Sequence, residues 1–504
     1  MAQKDLLIAI DIGTQGTKAA LFDLDMQMIC TAFEKSKLIS PKPGVVWQEA
    51  DDIYLSCIRT IRELMEKSSV SANRIAAIGI DGQMAGIMGI DRDGEASTYY
   101  DSWLDMRSST QLDKFEGALG IETLKRSGGQ VCCNHATKIL WWKENFPETY
   151  ERTAKFVLLH SYITGKMTGK KAQDAVFDYT CLHFNSFSDN MKKEWSKETL
   201  DVFGIDSQKM PRIVSPFDIF GYTTKDFANS SHIAMGIPVV AGAGDTAAST
   251  FGSGMFAEGL LQDCAGTASV MCCVVDNYVP DTKYKTLSMM RSPIDGLWLP
   301  LSYINGGGLC LRWFKDDFLQ DTNITYEILE NEASQISAGS DGVLFCPHFS
   351  GRVLPDDATL KGGFLNLDFT HTRGHFYRSI MEGIAFEYQY YLSIIRKNYP
   401  HYPFNKMITI GGGANSTLFN QIKADTLNVK VETFECGDTA LIGSAMIAGI
   451  GVKIFDNYQE PITKVMKKRA EFLPAEEQTG LYAEYGNKYQ QMIEYTSALY
   501  KGFH

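Results

Sequence analysis

The sequence predicts an α/β protein of two similar lobes. Its 504 residues exceed what one ordinary hydrophobic core serves, so two large domains are expected. Two glycine/threonine hairpins, at 6–18 and 260–269, stand in the two halves of the chain. In the first half a hairpin, an amphipathic helix and a buried strand follow one another, the order of an α/β lobe with a mixed sheet.

Each hairpin is a short hydrophobic strand, a tight turn and a return strand. In the first, Leu6-Leu7-Ile8-Ala9-Ile10-Asp11 runs through Ile12-Gly13-Thr14-Gln15-Gly16-Thr17-Lys18 into Ala19-Ala20-Leu21-Phe22. In the second, Leu260-Leu261-Gln262-Asp263-Cys264 runs through Ala265-Gly266-Thr267-Ala268-Ser269 into Val270-Met271-Cys272-Cys273-Val274. Glycine lets backbone N–H groups approach a phosphate closely, and threonine hydroxyls add donors. Two such turns point to two lobes gripping one polyphosphate.

The remaining elements follow from periodicity and turn chemistry. Residues 1–30 read as a β-hairpin turning at Asp23-Leu24-Asp25, and 44–49 as an extended piece. Asp51-Asp52 is expected to cap a helix to about Lys67, with Ile53, Leu55, Ile58, Ile61, Leu64 and Met65 as its apolar face. Residues 74–80 form a buried strand ending in Asp81-Gly82-Gln83-Met84, and 87–91 another before the turn Arg92-Asp93-Gly94. The span 110–235 is helical and irregular, as an insertion into the first lobe would be. Strand 238–241 delivers Gly242-Ala243-Gly244-Asp245 and a short helix to Phe251. The lobe boundary falls near 250–258, giving 1–254 and 255–504. The second lobe carries helices near 308–318 and 372–397, strand 406–410, the turn Gly411-Gly412-Gly413-Ala414-Asn415, a small-residue helix at 440–449 and a C-terminal surface helix.

Composition excludes several classes. Hydrophobic residues make up 44% and charged residues 21%, which is globular. The net charge of −12, with no sustained Lys/Arg block, argues against nucleic acid or an anionic membrane as partner. No apolar run is long enough to span a bilayer, and the chain enters a strand at once, leaving no room for a signal peptide. The eleven cysteines are scattered, adjacent only at Cys132-Cys133 and Cys272-Cys273, with neither CxxC nor metal-ligand spacing. Reduced core thiols and a cytoplasmic location are the expectation.

Four places can carry chemistry. GxxxxGK[ST] does not occur, so the first loop is no Walker A. Asp11 at a strand end can hold Mg²⁺ directly or through water. Gly13, Thr14, Gly16, Thr17 and Lys18 can hold phosphate; an ordinary hairpin turn with a structural aspartate is the bland alternative. Residues 242–247 and 252–257 both match GxGxxA, which shows how cheap that pattern is, and a dinucleotide fold wants it after the first strand. Asp245, on a glycine turn at a strand end, can accept a proton from a ligand hydroxyl, or simply cap a helix. Three glycines at 411–413 let a flat ring or sugar lie against the backbone, or form a mere tight turn. His135, His160, His183, His348 and His375 form no recognisable constellation and read as structural.

In order along nearly the whole chain, these segments resemble the FGGY family of carbohydrate kinases, and within it the xylulokinase branch. Residues 11–18 resemble the family's first phosphate loop, and Ile80-Asp81-Gly82-Gln83-Met84 its sugar-contacting segment. Trp103-Leu104-Asp105-Met106-Arg107 resembles its Trp-x-Asp-x-Arg, and Lys138-Ile139-Leu140-Trp141 the core of its first signature. Residues 241–248 resemble the catalytic segment, Gly266-Thr267 the second phosphate loop and 411–416 the adenosine loop.

The resemblance implies two actin/Hsp70-like (ribonuclease H-like) lobes with an interlobe cleft, sugar on the first and ATP on the second. It implies ATP and Mg²⁺ as cofactors and phosphorylation of a small sugar, a ketopentose such as xylulose, with another pentulose, a polyol or a sugar acid as the alternative. Asp245 would be the general base and Asp11 the residue organising Mg²⁺, with Asp105 behind it. Gln83, Met84, Ala85, Trp103, Asp105, Asp245 and Thr246 would meet the sugar. Gly13, Thr14, Gln15, Lys18, Gly266, Thr267, Gly308, Arg312, Gly412, Gly413 and Asn415 would meet ATP. Closure of the lobes would exclude water. A homodimer is left open.

Departures concern the sugar side most. Xylulokinases commonly have His where this chain has Ala85, and Cys133 and His135 do not fit the first signature. The usual Gly-Glu-Arg-Thr-Pro is Gly351-Arg352-Val353-Leu354-Pro355. The second signature has Asn366 for Gly, while His375, Ser379 and Glu382 fit. These leave the kinase reading intact and the sugar open. Two rivals stand beside it: a non-enzymatic ATP-binding protein of the actin fold, and a degenerate kinase that binds sugar as a regulator. Asp245 on its glycine turn, with the Gln83 and Trp103 segments, disfavours the first, and the retained Asp11, Asp245 and Thr267 disfavour the second.

Overall fold

Strand β1 (Leu6–Ile12) pairs antiparallel with β2 (Gly16–Asp23), and β2 with β3 (Met28–Lys35). This hairpin opens the computed structural model, which describes residues 4–435 and 437–502. Strand β4 (Ile75–Gly82) runs parallel to β1. With β5 (Ile219–Tyr222) and β6 (Pro238–Val240) the order is β5-β6-β4-β1-β2-β3, and the short β7 (Ala243–Gly244) continues beside the end of β4. Every residue of β1 and β4 is buried, so both read as continuous apolar runs, as expected of a sheet covered on both faces.

The second hairpin repeats the pattern. Strand β8 (Leu260–Ala265) pairs antiparallel with β9 (Ser269–Cys273), and β9 with β10 (Trp298–Ile304). Strand β11 (Lys406–Ile410) runs parallel to β8, and β12 (Lys430–Glu435) parallel to β11, with β13 (Lys467–Phe472) beyond. The path β12-β11-β8-β9-β10 therefore has the connectivity of β6-β4-β1-β2-β3.

The two sheets belong to two units. One comprises Met1–Gly254, Met289–Trp298 and Cys436–Lys467; the other Met255–Ser288, Leu299–Glu435 and Lys468–His504. The division at 254/255 read from the sequence thus needs a correction. The small-residue helix Thr439–Gly451 packs on β1, β4 and the helix Asp245–Gly252, although the chain reaches it only after leaving the second sheet. Its docking is a backbone contact. A Cβ at Gly443 would stand 1.9 Å from the Ala248 carbonyl oxygen, and one at Gly79 on β4 would stand 1.9 Å from that of Ser444.

Three further expectations change. Strand β5 lies inside the span read as an insertion, yet it joins the edge of the first sheet. Tyr162, Ile163 and Met167 from the same span belong to the first unit's core. The helix Ala50–Ser68 buries Ile53, Ile58, Ile61, Leu64 and Met65 but leaves Leu55 exposed, and Asp51-Asp52 sit in its first turn behind the N-cap Glu49. The C-terminal helix Glu476–Lys501 is half-buried: Tyr482 and Tyr489 donate to Glu382 and Glu387, at 2.8 and 2.9 Å. All described cysteines are free, and no described helix is long and apolar enough to cross a membrane.

Gly443→Ala tests the helix docking. The added methyl meets backbone that cannot yield, and overpacking of this kind costs about 1–3 kcal/mol. A lower melting temperature is expected in thermal denaturation; an unchanged one would refute the close approach.

Candidate active site

Register assembles the first half of the site. Asp11 on β1 is the parallel partner of Asp81 on β4, and Ala243 on β7 is the partner of Asp81 on its other side. Parallel strands end on one edge, so Asp11, Asp81 and Asp245 emerge on neighbouring strand ends. Across the hairpin Asp11 faces Lys18. The Lys18 ammonium lies 3.4 Å from Asp11 Oδ2 and 2.7 Å from Asp438 Oδ2. Asp438 also caps the helix Thr439–Gly451 by accepting from Ala440 N. Burial opposes the charge on Lys18, but the two carboxylates hold its pKa above that of an ordinary lysine.

The carboxyl groups are pushed the other way. Burial raises Asp11, Asp438 adds to the rise, and Lys18 opposes it. Asp81 is fully buried; burial and then Asp11 raise it well above an ordinary aspartate, against the Ser444 hydroxyl that it accepts at 2.6 Å. Its second oxygen has no hydrogen-bond partner. Asp245 is raised to about 6 by burial and then by Asp11. Its Oδ1 accepts from the Thr246 backbone at 2.6 Å and from the Thr246 hydroxyl at 3.2 Å. A carboxyl group near neutrality on a glycine turn can take a proton from a bound hydroxyl.

Beside these carboxyl groups runs a polar chain. Trp103 Nε1 donates to Thr14 Oγ1 at 2.9 Å, Thr14 to Gln83 Oε1 at 3.4 Å, and Gln83 Nε2 to Gln48 Oε1 at 2.8 Å. Thr14, Gln83 and Trp103 are thus brought together from three separate motifs. Gln83 is buried, while Trp103 is 40% exposed. Met84 lies on Gly244: a Cβ there would stand 2.6 Å from its side chain. Ala85 is half-buried with φ of 62°, a left-handed conformation that histidine adopts more readily than most residues. Gln15 turns its side chain outward.

Asp105 is placed differently from the sequence reading. It is buried and its carboxylate accepts from Val46 N at 2.7 Å and from Arg107 Nε at 2.8 Å; it bonds neither Asp11 nor the neighbours of Asp11. Arg107 in turn lies 4.4 Å from the Trp141 ring and 5.1 Å from the Tyr99 ring. Asp105 therefore anchors the Trp103–Arg107 turn. Arg352, at the altered Gly-Glu-Arg-Thr-Pro stretch, pairs with buried Glu387 at 2.6 Å, a core ion pair.

The second unit holds a cavity of about 1100 Å³ lined by Gly266, Thr267, Gly308, Arg312, Tyr326, Tyr377, Gly412, Gly413 and Asn415, among others. Gly308 N donates to Gly266 O at 3.1 Å, and a Cβ at Gly308 would stand 2.3 Å from that oxygen, so the two turns meet backbone to backbone. The three glycines differ. A Cβ at Gly412 meets nothing within 4 Å, whereas one at Gly413 would stand 2.5 Å from Ala265 Cβ. Asn415 accepts from Arg469 Nη1 at 2.7 Å. Every nucleotide-side residue named from the second half lines this one cavity.

Sequence reasoning missed Gln48, Asp438 and Arg469, and left Asp81 without a role. Asp438 had a signal, an aspartate before a small-residue helix. Gln48 and Arg469 had none, because their partners lie far off in sequence. Among the described residues no three His, Cys, Asp or Glu side chains form a metal-binding group.

Comparison with known proteins gives the family and the fold. The model for "FGGY family of carbohydrate kinases, N-terminal domain" matches residues 6–252, and the corresponding C-terminal model matches 264–452. A xylulose kinase of Bacillus subtilis is 27% identical over 498 residues, covering 98% of this chain and 97% of the relative. A gluconokinase of the same organism is 24% identical, covering 88% and 86%. Among solved structures, ligand-bound xylulose kinase from Lactobacillus acidophilus superposes with a TM-score of 0.91 at 21% identity, over 99% of this chain and 100% of that one. At that identity the likeness shows the fold, which is the two-domain actin/Hsp70-like one.

Proposed function

The chain belongs to the FGGY family of carbohydrate kinases, and from that premise we propose that it transfers the γ-phosphoryl group of ATP to a hydroxyl of a ketopentose, xylulose first among them. The observation that carries the reading is Asp245. It stands on a glycine turn beside the Met84 side chain, with its pKa raised to about 6 by burial and Asp11. Near-full-length similarity to xylulose kinases supports the choice of sugar.

In this reading Asp245 takes the proton of the acceptor hydroxyl as that oxygen attacks phosphorus. Gln83, Met84, Ala85, Trp103 and Thr246 surround the sugar, and Asp105 holds Trp103 in place. The backbone at Gly13 and Thr14, with Lys18, stabilises negative charge on the transferred group, where most phosphoryl-transfer catalysis lies. Asp438 and Asp11 keep Lys18 protonated for that task. The nucleotide lies in the second unit's cavity, its phosphates at Gly266, Thr267 and Gly308 and its adenosine at Gly412, Gly413 and Asn415, with Arg312 on the wall. Mg²⁺ would supply charge neutralisation, and Asp11 would hold it. One buried carboxylate suits an ion that keeps most of its ligands as water and phosphate. An ADP-release screen against pentuloses, pentitols, glycerol, erythritol and gluconate tests the substrate.

Asp245→Asn keeps an acceptor for Thr246 N and removes the base. Turnover should fall about 10²–10⁴-fold with ATP affinity nearly unchanged. In the wild type, kcat/KM should rise with pH through about 6 and level off above it, because the working form is the carboxylate. More than about a tenth of wild-type turnover in the variant would sink the assignment.

The glycine turn separates two effects. Gly412→Val should raise the KM for ATP far more than that for sugar, because its side chain enters the open cavity. Gly413→Val should instead lower the melting temperature by pressing on Ala265. Equal loss for both substrates in the Gly412 variant would place the adenosine elsewhere.

Ala85→His addresses the sugar. One hydrogen bond gained should shift the ratio of kcat/KM values toward xylulose over ribulose and a pentitol by about 1–3 kcal/mol. A folded variant with an unchanged ratio would mean that position 85 does not face the sugar.

A further inference from the structure

Behind the Gln83 and Asp245 turns lies a buried network that none of these roles uses. His160, on the helix Leu159–Thr168, is fully buried, and its Nε2 lies 2.9 Å from Asp178 Oδ2. The other oxygen of Asp178 accepts from the Thr180 backbone N–H at 2.9 Å and from the Thr180 hydroxyl. That hydroxyl oxygen accepts from the backbone N–H of Gly244 at 3.0 Å. Gly244 immediately precedes Asp245.

The other end of the network touches the sugar segment. The His160 ring packs on Gly82, where a Cβ would stand 3.2 Å from both its Cβ and its Nδ1. Gly82 immediately precedes Gln83 and is the cross-strand partner of Gly244. One chain of side chains therefore touches both strand ends that carry the candidate chemistry. It is needed there, because β7 is only two residues long and the Gly244 N–H bonds a side chain in place of a strand.

Each member has the chemistry the task requires. A threonine hydroxyl has one proton and spare lone pairs, so donating to Asp178 leaves it free to accept from Gly244. A carboxylate accepting three bonds orients that hydroxyl, and the imidazole takes up its second oxygen within the buried network. We propose that His160, Asp178 and Thr180 are positioning residues that hold the Gly244–Asp245 turn in register with the Gly82–Gln83 turn. They touch neither sugar nor phosphate, and they act through the orientation of the Asp245 carboxylate. The inference rests on the reading of Asp245 as general base. It also gives the irregular 110–235 span a part in the reaction.

Thr180→Val keeps the shape and removes both hydroxyl bonds, while Thr180→Ser restores the hydroxyl. Assayed in the full chain with ATP and xylulose, or the best acceptor of the screen, Thr180→Val should lose about tenfold or more in kcat. Its KM for ATP and melting temperature should stay near wild type, and Thr180→Ser should regain most of the loss. A kcat for Thr180→Val within about twofold of wild type overturns the proposal. So does a loss matched by an equal rise in the KM for ATP and left unrepaired by serine. If Thr180→Val does not fold, Asp178→Asn, isosteric and uncharged, decides: a several-fold fall in kcat supports the network and wild-type kcat overturns it. Asp245→Asn in the same assay separates the two ideas. If it stays active, the base assignment fails; if it is inactive while Thr180→Val turns over normally, only the positioning network fails.

Discussion

Parallel strands finish on a common edge, and the register that sets Asp11 of β1 beside Asp81 of β4 puts every later feature of the first unit in its place. Had the register slipped by one residue, alternate side chains would have exchanged faces and Asp11 would no longer share an edge with Asp81. With the register as it is, β7 extends the alignment by one more strand end and delivers Asp245. The hairpin turn after Asp11 returns Lys18 across from it. The Gly13–Lys18 turn, the Gly82–Gln83 segment and Asp245, from distant parts of the chain, thus become neighbours through strand register.

Such an edge concentrates negative charge. Asp11, Asp245 and Asp438 each raise the pKa of Asp81, and Lys18 is the cation that bonds Asp11 and Asp438. Burial and neighbouring charge push Asp11, Asp81 and Asp245 toward their neutral forms. Asp438 completes the pattern from the helix Thr439–Gly451, whose backbone sits close against β4 because glycine stands at 79 on the strand, and close against the helix Asp245–Gly252 because glycine stands at 443. The same close contact brings Ser444 to Asp81. Packing and electrostatics meet here, because Gly79 admits the backbone of Ser444, whose hydroxyl donates to Asp81.

The second unit uses the same connectivity for another end. Its hairpin turn at Gly266-Thr267 meets Gly308 backbone to backbone, and the turn after β11 folds its glycines against Ala265. What remains beside them is a cavity with a bare peptide surface at Gly412. From one strand order the first unit gathers carboxyl groups at a sheet edge and the second encloses a cavity of about 1100 Å³.

The sequence by itself determined the α/β class, the two hairpins, strand 406–410, the glycine turns and the positions of Asp11, Lys18 and Asp245, because each is a local pattern of hydrophobicity or turn chemistry; Gln83 and Trp103 stood out only through the resemblance to the family. Tertiary structure alone decided the rest. Residues 437–467 read as part of the second lobe, since nothing in an apolar small-residue helix tells which sheet it will cover. Strand β5 read as insertion because an edge strand of mixed burial lacks the apolar run of β1 or β4. Asp105 read as a site carboxylate, yet its partners Val46 and Arg107 occupy it. His160 read as structural, and Asp178 and Thr180 drew no reading at all, because a hydrogen-bond network joins residues by distance in space and leaves no period in the sequence.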